Sequence, residues 1–502
     1  MTEFLDFGFS TSEEIALVLA QRLKSLRVQK EIPQADLAQR MGVSRSTLNT
    51  LGSRGAIAAA FQTRDGFHRR HGETTTTRPS ARHPKSHSAR GQAMKTVQVR
   101  YQGWGENWPL GTLADNGQQL LFEYSPQALA EGVSLSPRHL PLQKQAMGHF
   151  PSHQWRLPGL FADSLPDGWG MLLMDRLFRK QGLRPEQLSP LDRLSFIGQR
   201  GMGALTYQPD SQGDVLQGTV DLVALAHETA LVLQGADTET LQRLAWLGGS
   251  PQGARPKVLV FYDPAMARIS TAPMPTGSGW LVKFQALGEH KEVCAIEAFY
   301  AQLARTCGLD MPDTHVFDLN AKQAALGIER FDLVQDQRVP IHSLAGFLHA
   351  DFRIPSAVDY TTFLRATRMI TRDEREVQKA FERAVFNVLF HNRDDHAKNL
   401  AYRMDAQRHW KLAPCFDLTY SEGPGGEHQM DVCGEGLHIT RSHLMKLAQQ
   451  GGIDARWAGH RLDAMLAVTD QWASLVESFD IRRATRQKMH HEVICQREAL
   501  MR

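Results

Sequence analysis

The segment from residue 52 to residue 93 divides this chain into two unequal parts. It holds seven Arg and one Lys against Asp65 and Glu73, a net charge of +6, and almost no apolar periodicity after Phe61. Because such a composition buries too little apolar surface to offset the entropy of ordering, we predict a disordered linker. The net charge of the whole chain is only +3, so the remaining residues are slightly acidic. An overall basic character is therefore no argument for nucleic-acid binding by the bulk of the protein.

The composition is that of a soluble globular protein, with 42% apolar and 22% charged residues among 502. The sequence contains no run of eighteen apolar residues, and its N-terminus has no basic region followed by an apolar stretch. We therefore predict no transmembrane helix, no membrane partner, no secretory signal and a cytoplasmic location. Five scattered cysteines without a C-x-x-C pair fit a reducing compartment better than a disulfide framework or a zinc site.

Residues 1–51 predict a helix-turn-helix-like segment. Leu37 and Met41 share an apolar helix face that ends at Gly42, and Ser44 can cap a second helix. These residues resemble the repressor family that includes bacterial antitoxins, and four polar side chains would then face DNA: Gln34, Arg45, Ser46 and Asn49. The two further helices that close such a domain do not follow, so the completeness of the unit stays open. The alternative is a small helical hairpin without a DNA role.

From Met94 onward the pattern predicts globular structure throughout. Apolar runs predict strands at "KTVQVRYQG", "QQLLFEYS", "VLVFYD" and "GWLVKFQ". A helix is predicted over residues 291–309, ending at Gly308, and most of the chain after residue 358 reads as helical. Strands first and helices afterwards predict an α+β fold with two lobes.

The stretch "HNRDDHAKNL" concentrates polar groups immediately after a predicted helix. Asp394 and Asn399 have the spacing of a protein-kinase catalytic loop, in which the Asp meets the substrate hydroxyl and the Asn holds a metal ion. Asp417 follows at the end of an apolar run and fits the hard carboxylate ligand that Mg²⁺ requires, although its motif is Asp-Leu-Thr and not Asp-Phe-Gly. Alone, this spacing occurs by chance in many proteins.

Two upstream features strengthen the kinase interpretation. Lys283 lies inside the predicted strand "WLVKF", and Glu297 on the next helix can pair with it. A strand-edge lysine that extends to water is the alternative for Lys283. The glycine-rich loop, residues 248–257 ("GGSPQGARPK"), precedes a strand but lacks the Gly-Lys-Ser/Thr ending of a Walker loop. The motif "LPDGWG" reads as structural, with Asp167 and Trp169 capping and stapling the helix that follows.

Taken in order along residues 94–445, these pieces resemble the HipA-like serine/threonine kinases, toxins of type II toxin–antitoxin systems. The motifs that carry the resemblance are "LPDGWG", "GGSPQGARPK", "WLVKF", "GIERFDL", "NRDDHAKNL" and "LAPCFDL". The part before them resembles a HipB-type antitoxin. The fold implied is a kinase-like one with a β-rich N-lobe and a mostly helical C-lobe. Its implied division is a HipA-type β-rich subdomain at 94–210, an N-lobe with the glycine-rich loop at 211–340 and a helical C-lobe at 341–502.

The resemblance also implies a role for each matching residue. Asp394 would be the catalytic base, supported by Lys283, His396 and Lys398 near the phosphates. Asn399 and Asp417 would hold Mg²⁺. ATP would be bound by Ser250, Gln252, Gly253, Ala254, Lys283, Glu329, Phe331 and Asp332, with Asp332 near the ribose. Ser250 would be the serine that the family autophosphorylates, although Pro251 and Pro256 distinguish this loop from those of some relatives.

The function implied is an ATP- and Mg²⁺-dependent protein kinase that arrests growth and has an antitoxin partner. In the best-known relatives the target is an aminoacyl-tRNA synthetase, but no residue here identifies the target. One alternative is a DNA-binding regulator with a pseudokinase module, against which Lys283, Asp394, Asn399 and Asp417 are all present. A small-molecule phosphotransferase would share the same chemistry and stays open.

Overall fold

The computed structural model describes residues 94–210, 218–234 and 241–502. The helix-turn-helix-like segment and the basic linker predicted for residues 1–93 lie outside the described residues. Residues 94–352 and 357–502 belong to one folded unit. Its elements confirm the predicted mixture of sheets and helices, with most strands before residue 330 and a mainly helical part after residue 343.

The first sheet has four antiparallel strands in the order β3-β2-β1-β4. They are β1 (Lys95–Tyr101), β2 (Trp108–Asp115), β3 (Leu120–Tyr124) and β4 (Leu205–Gln208). The helices between β3 and β4 are α1 (Pro126–Glu131), α2 (Gly159–Ala162), α3 (Gly168–Lys180) and α4 (Pro190–Ile197). Helix α4 packs on β1 and β4, which buries the alternate β1 residues Val97, Val99 and Tyr101.

The second sheet has five antiparallel strands in the order β6-β5-β7-β9-β8. They are β5 (Lys257–Asp263), β6 (Arg268–Ser270), β7 (Ser278–Phe284), β8 (Thr314–Asp318) and β9 (Ala324–Glu329). Before this sheet come α5 (Leu222–Leu233) and α6 (Leu241–Gly248), and α7 (Glu292–Thr306) connects β7 to β8. The helix predicted over residues 291–309 is therefore present. Gly308 beyond it has φ of 78°, a left-handed conformation that glycine adopts without steric cost.

The rest of the unit is mainly helical. Its strands are β10 (Leu333–Val334), β11 (Gln337–Arg338), β12 (Ile341–Ser343), β13 (Ala401–Met404) and β14 (Trp410–Leu412). Its helices are α8 (Leu344–Leu348), α9 (Tyr360–Thr371), α10 (Glu374–Leu389), α11 (Arg441–Gln450), α12 (Ala455–Val468), α13 (Trp472–Glu477) and α14 (Arg483–Met501). Among the described residues, no helix combines the length and the apolar character needed to cross a membrane.

Helix α10 fixes the position of the polar stretch that follows it. The Asp373 side chain caps its first turn by accepting a hydrogen bond from the Arg375 N–H at 3.0 Å. Val377, Phe381 and Val385 recur at helical spacing and are fully buried, as the sequence pattern predicts. The helix ends at Leu389. Residues 391–400 therefore follow directly after a helix whose apolar face is packed in the core.

Candidate active site

One cleft of about 810 Å³ brings most of the predicted site residues together. The predicted residues that line it are Ser250, Gln252, Gly253, Ala254, Lys283, Glu329, Phe331, Asp394, His396, Lys398, Asn399 and Asp417. They come from the glycine-rich loop, from β7, from the end of β9 and from the loops after α10 and β14. Segments that are far apart in sequence thus converge on one surface.

Lys283 lies at the centre of this cleft and is almost completely buried. Its ammonium group donates to the carboxylates of both Glu297 on α7 and Asp417. Burial by itself would lower the pKa of Lys283, but the two carboxylates outweigh burial and raise this pKa above its ordinary value. The structure confirms the predicted pairing of Lys283 with Glu297, and it excludes the alternative of a lysine that extends to water.

The catalytic-loop stretch presents its two aspartates to opposite environments. The Asp394 side chain is 51% exposed and borders the cleft. Asn399 donates its amide nitrogen to the Asp394 carbonyl at 2.8 Å, which closes the loop and leaves the amide oxygen as the acceptor available to a ligand. Asp395 is buried and accepts hydrogen bonds from the Tyr360 hydroxyl at 2.6 Å and from His428 Nδ1 at 2.8 Å.

His396 and Lys398 extend from the same loop toward the cleft. His396 Nε2 lies 3.8 Å from Asp394 Oδ1. The Lys398 ammonium lies 4.9 Å from the centroid of the Phe352 ring, a cation–π distance, and 3.5 Å from Asp167 Oδ2. The side chains of His396 and Lys398 therefore lie in the same cleft as the predicted base, Asp394.

Asp417 has the electrostatic character expected of a metal ligand. Its backbone φ is +53°, which turns the chain sharply after β14. Burial by itself would raise the pKa of Asp417, but the neighbouring ammonium groups of Lys283 and Lys257 hold this pKa well below its ordinary value. The carboxylate of Asp417 and the amide oxygen of Asn399 are hard oxygen donors that suit Mg²⁺. Within the described ranges, no group of three or more His, Cys, Asp or Glu residues has metal-binding geometry. Any Mg²⁺ would need further oxygen ligands from water or phosphate.

The glycine-rich loop follows α6 and bends over the cleft. Gly253 has φ of 105°, a backbone conformation that residues with a side chain rarely adopt, so glycine is favoured at this position. Ser250 is buried, and its hydroxyl donates to the Arg200 carbonyl at 3.0 Å. In this conformation the Ser250 hydroxyl is engaged with the backbone of residues 94–210, the first domain, which contains the four-stranded sheet.

Asp332 does not line the cleft, unlike the other residues that the family resemblance assigned to ATP. It is fully buried, and its carboxylate accepts hydrogen bonds from Arg330 at 2.7 and 2.9 Å and from the Gly203 N–H at 2.7 Å. Arg330 and burial compete, and the pKa of Asp332 stays below its ordinary value. The expectation of a ribose contact from Asp332 therefore disagrees with its position.

Sequence reasoning missed two charged residues of the cleft. Asp167 was expected to cap α3, but its side chain makes no capping hydrogen bond and instead accepts one from the Gly253 N–H. Lys257 on β5 lies directly opposite Lys283 on the neighbouring antiparallel strand β7, so both lysines lie on the same face of the sheet. Burial lowers the pKa of Lys257. The alternation of β5 was a usable signal for Lys257, whereas no local pattern pointed to Asp167.

Two domain families match the chain. The HipA N-terminal domain matches residues 102–208, and the HipA-like C-terminal domain matches residues 249–473. The chain is therefore similar to HipA-like proteins in both of these regions. The first match contains β2, β3 and β4 of the four-stranded sheet, and the second contains most of the cleft, from the glycine-rich loop to Asp417.

Individual proteins that match the chain have low sequence identity to it, and they include a HipA structure. A solved structure from Shewanella oneidensis MR-1, described as the toxin antitoxin system HipA, HipB and its operator DNA complex, has a chain with a TM-score of 0.60 and 17% identity. The match covers 81% of this chain and 97% of that chain, and it indicates a shared fold.

Two further matches are shorter. "Putative kinase Y4mE" of Sinorhizobium fredii is 29% identical over 133 residues, which are 24% of this chain and 31% of that protein. The match thus spans about a third of the length of that relative. A structure of the Helicobacter pylori proinflammatory kinase CtkA has 12% identity over 49% of this chain and 91% of that chain. Its TM-score of 0.34 is too low to support an argument about the fold.

Proposed function

We propose that this protein is an ATP- and Mg²⁺-dependent protein serine/threonine kinase of the HipA toxin type. The observation that carries the proposal is the convergence in one cleft of Lys283, Asp394, Asn399 and Asp417. Lys283 is already held by Glu297, as phosphoryl-transfer sites of kinases require. A pseudokinase usually lacks at least one of these four residues, and this chain retains all of them.

The nucleotide enters the cleft with its base near the end of β9. Backbone groups of Glu329 and Phe331 take the adenine, and the glycine-rich loop covers the phosphates with its N–H groups. Lys283 and Lys257, side by side on the sheet, supply positive charge to the same phosphates. Asp417 and Asn399 would hold Mg²⁺, and when bound it would neutralise part of the negative charge on the phosphates.

The chain's own residues then position one proton and one phosphoryl group. The Asp394 carboxylate accepts the proton of a serine or threonine hydroxyl on the substrate. The hydroxyl oxygen forms a new bond to the γ-phosphorus as the bond between this phosphorus and the β–γ bridging oxygen breaks, and ADP leaves. His396 and Lys398 stabilise the negative charge beside the transferred group. Catalysis of this kind depends mainly on positioning and electrostatic stabilisation.

The buried state of Ser250 supports a self-inactivating role for the glycine-rich loop. A phosphate on Ser250 adds about −1.5 to −2 charges and three acceptor oxygens. A group of this size and charge does not fit where the hydroxyl now contacts the Arg200 carbonyl. Autophosphorylation at Ser250 therefore expels the loop from the cleft and lowers nucleotide affinity. Peptide mapping after incubation with ATP tests this directly, and an unmodified Ser250 in an active enzyme would leave only a structural role.

The proposed partners follow from the similar proteins. The Shewanella oneidensis HipA structure is a complex with HipB and operator DNA, which supports an antitoxin and DNA as partners of this chain. The substrate is a cellular protein whose phosphorylation arrests growth, with an aminoacyl-tRNA synthetase as the first candidate to examine. A location in the cytoplasm follows from such a substrate.

The central experiment measures transfer of labelled phosphate from ATP to proteins of a cell lysate. We expect wild-type protein to label a small number of bands on Ser or Thr. Asp394→Asn and Asp417→Asn should each lower the rate by at least about 10²-fold, and for the half-exposed Asp394 the melting temperature should stay nearly unchanged. Asp463→Asn, an exposed aspartate on α12, is the matched control and should retain full activity. Full activity in Asp394→Asn would overturn the proposal.

A further inference from the structure

The first domain reaches into the cleft through the segment of residues 163–169, which joins α2 to α3. The Trp169 N–H donates to the Gly253 carbonyl at 3.1 Å, and Gln252 donates its side-chain amide to the Asp163 carbonyl at 2.8 Å. The Trp169 indole donates to the Lys257 carbonyl at 3.1 Å. The glycine-rich loop is therefore held closed over the cleft by hydrogen bonds to the first domain, and not only by its own sequence.

Gly168 makes this close approach of the two segments feasible. A Cβ atom at Gly168 would lie 2.6 Å from the Cα atom of Ala254 and 2.8 Å from the Gly253 carbonyl oxygen. The backbone of the 163–169 segment lies so close to the glycine-rich loop that residue 168 has no room for a side chain. The neighbouring residue Asp167 is thereby directed at the loop and into the cleft.

The Asp167 carboxylate contacts two groups that a polyphosphate would also need. One of its oxygens accepts the hydrogen bond of the Gly253 N–H, and the other lies 3.5 Å from the Lys398 ammonium. The carboxylate is also close enough to Lys257 to favour its charged form. A backbone N–H of a glycine-rich loop and two lysines form an anion site, and here a carboxylate of the first domain occupies it.

We propose that Asp167 is a built-in competitor of the nucleotide phosphates, through which the first domain sets nucleotide affinity. The inference rests on the proposed binding of ATP in this cleft. A carboxylate and a phosphate oxygen cannot share the Gly253 N–H and Lys398, because like charges at contact distance repel strongly away from bulk water. Asp167 must therefore withdraw when a nucleoside polyphosphate binds, and this withdrawal opposes binding.

Two other roles for Asp167 make different predictions. If Asp167 only holds the glycine-rich loop in place, loss of its charge should weaken nucleotide binding or leave it unchanged. If Asp167 is a ligand of Mg²⁺, loss of its charge should weaken binding only when Mg²⁺ is present. A competitor differs from both, because removal of its charge strengthens binding even without a metal ion.

The experiment is calorimetric titration of the full chain with ATP, ADP and AMP, in EDTA and again in Mg²⁺. We expect Asp167→Asn to lower the Kd of ATP by about tenfold in EDTA, with a smaller effect for ADP and none for AMP. Asn keeps an oxygen that can accept the Gly253 hydrogen bond, so the loop should remain folded. Asp167→Glu retains the charge and should bind ATP as wild type does.

Glu186→Gln provides a matched loss of one charge in the same domain, because Glu186 is highly exposed and does not line the cleft. It should leave every Kd unchanged. Wild-type binding of ATP with no tightening in Asp167→Asn would overturn the inference and leave the proposed function intact. Equal tightening in Asp167→Glu would also overturn it, since the cause would then be steric. Absence of ATP binding by the wild type would overturn the proposed function and this inference together.

Discussion

The neighbouring residues Asp394 and Asp395 lie in opposite environments, which suit the proposed catalytic role of the first and a structural role of the second. Asp394 is exposed to the cleft, whereas the adjacent Asp395 is only 1% exposed. Asp395 accepts hydrogen bonds from the Tyr360 hydroxyl on α9, from His428 Nδ1 and from the Gln429 N–H. A buried carboxylate with this many donors joins the catalytic loop to α9 and to the segment after Asp417.

We expect Asp395→Ala to destabilise the protein strongly. Its removal leaves the buried Tyr360 and His428 groups without their acceptor, which typically costs about 3–5 kcal/mol in the free energy of unfolding. Asp394→Ala is the matched control and should change this free energy by no more than about 0.5 kcal/mol, because its side chain is half exposed. Denaturant unfolding of both variants measures the difference. Similar losses in the two would contradict the assignment of Asp395 as the anchor.

The first residue of the catalytic stretch gives stability a dependence on pH. Burial, together with the charges of Arg393 and His428, lowers the pKa of His391 to about 3, against an ordinary value of about 6.5. The unfolded chain therefore takes up this proton before the folded protein does. Stability that is complete above about pH 6.5 should fall by about 1.4 kcal/mol per pH unit below it, down to the folded pKa.

His391→Asn should remove this contribution from the pH dependence. Asn is chosen because residue 391 has φ of 52°, a left-handed conformation that Asn tolerates better than most residues. Unfolding free energies of the variant and the wild type at pH 7.5, 6 and 5 give the two slopes. Some slope will remain, because burial also lowers the pKa of His349 to about 3. Identical slopes in the two proteins would contradict a neutral, buried His391.

At the scale of elements, the ion pair between Lys283 on β7 and Glu297 on α7 fixes the position of the Lys283 ammonium group. Lys283 contacts both Glu297 and Asp417, so removal of the Glu297 charge leaves Lys283 with Asp417 as its remaining carboxylate partner. We expect Glu297→Gln to lower kcat by about 10²-fold with a smaller change in KM, because positioning in the transition state is lost more than nucleotide binding. Gln302→Ala on the same helix, partly exposed and outside the cleft, should leave both unchanged. A change in KM alone would contradict this role.

The same elements show which parts of the site a sequence can predict. Lys283 and Glu297 lie on a strand and on the helix immediately after it, so their pairing follows from local order along the chain. Asp167 meets Gly253 across 86 residues, and nothing in its own neighbourhood distinguishes this contact from an ordinary helix cap. The expected ribose contact of Asp332 was wrong for a similar reason. Its hydrogen-bond partner Gly203 lies in a loop that is 129 residues away in the sequence. Long-range packing decides the environment of both carboxylates.

At the scale of the whole molecule, two domains share one site. The first domain supplies the Arg200 carbonyl that holds Ser250 and the 163–169 segment that covers the glycine-rich loop. Both contacts are made to the loop that the proposed kinase uses for nucleotide binding. A partner that bound the first domain and displaced either contact would therefore change nucleotide affinity without touching the nucleotide.

Any binding of this chain to DNA is expected to come from residues 1–93, where the basic residues are concentrated. We expect full-length protein, but not a chain that begins at Met94, to bind duplex DNA, because the basic residues are concentrated at 52–93. The chain from Met94 should retain phosphoryl transfer, which also verifies that it is folded. If binding comes from charge alone, the slope of log K against log salt should be about −0.9 per phosphate contact. For eight basic residues this slope should be no steeper than about −7. Titrations at several salt concentrations, with operator and unrelated duplexes, measure both slope and specificity.

Substitutions on the two sides of residue 52 then distinguish charge from sequence recognition. Replacing Arg69 and Arg70 with Gln should lower the salt slope by about 2, since each phosphate contact contributes about 0.9. If the helix-turn-helix is incomplete, Arg45→Ala and Asn49→Ala should change little, because such a unit has no closed core to hold these side chains against base edges. A salt-resistant, sequence-specific complex that Asn49→Ala abolishes would contradict this expectation, and it would show that residues 1–51 form a complete DNA-reading unit.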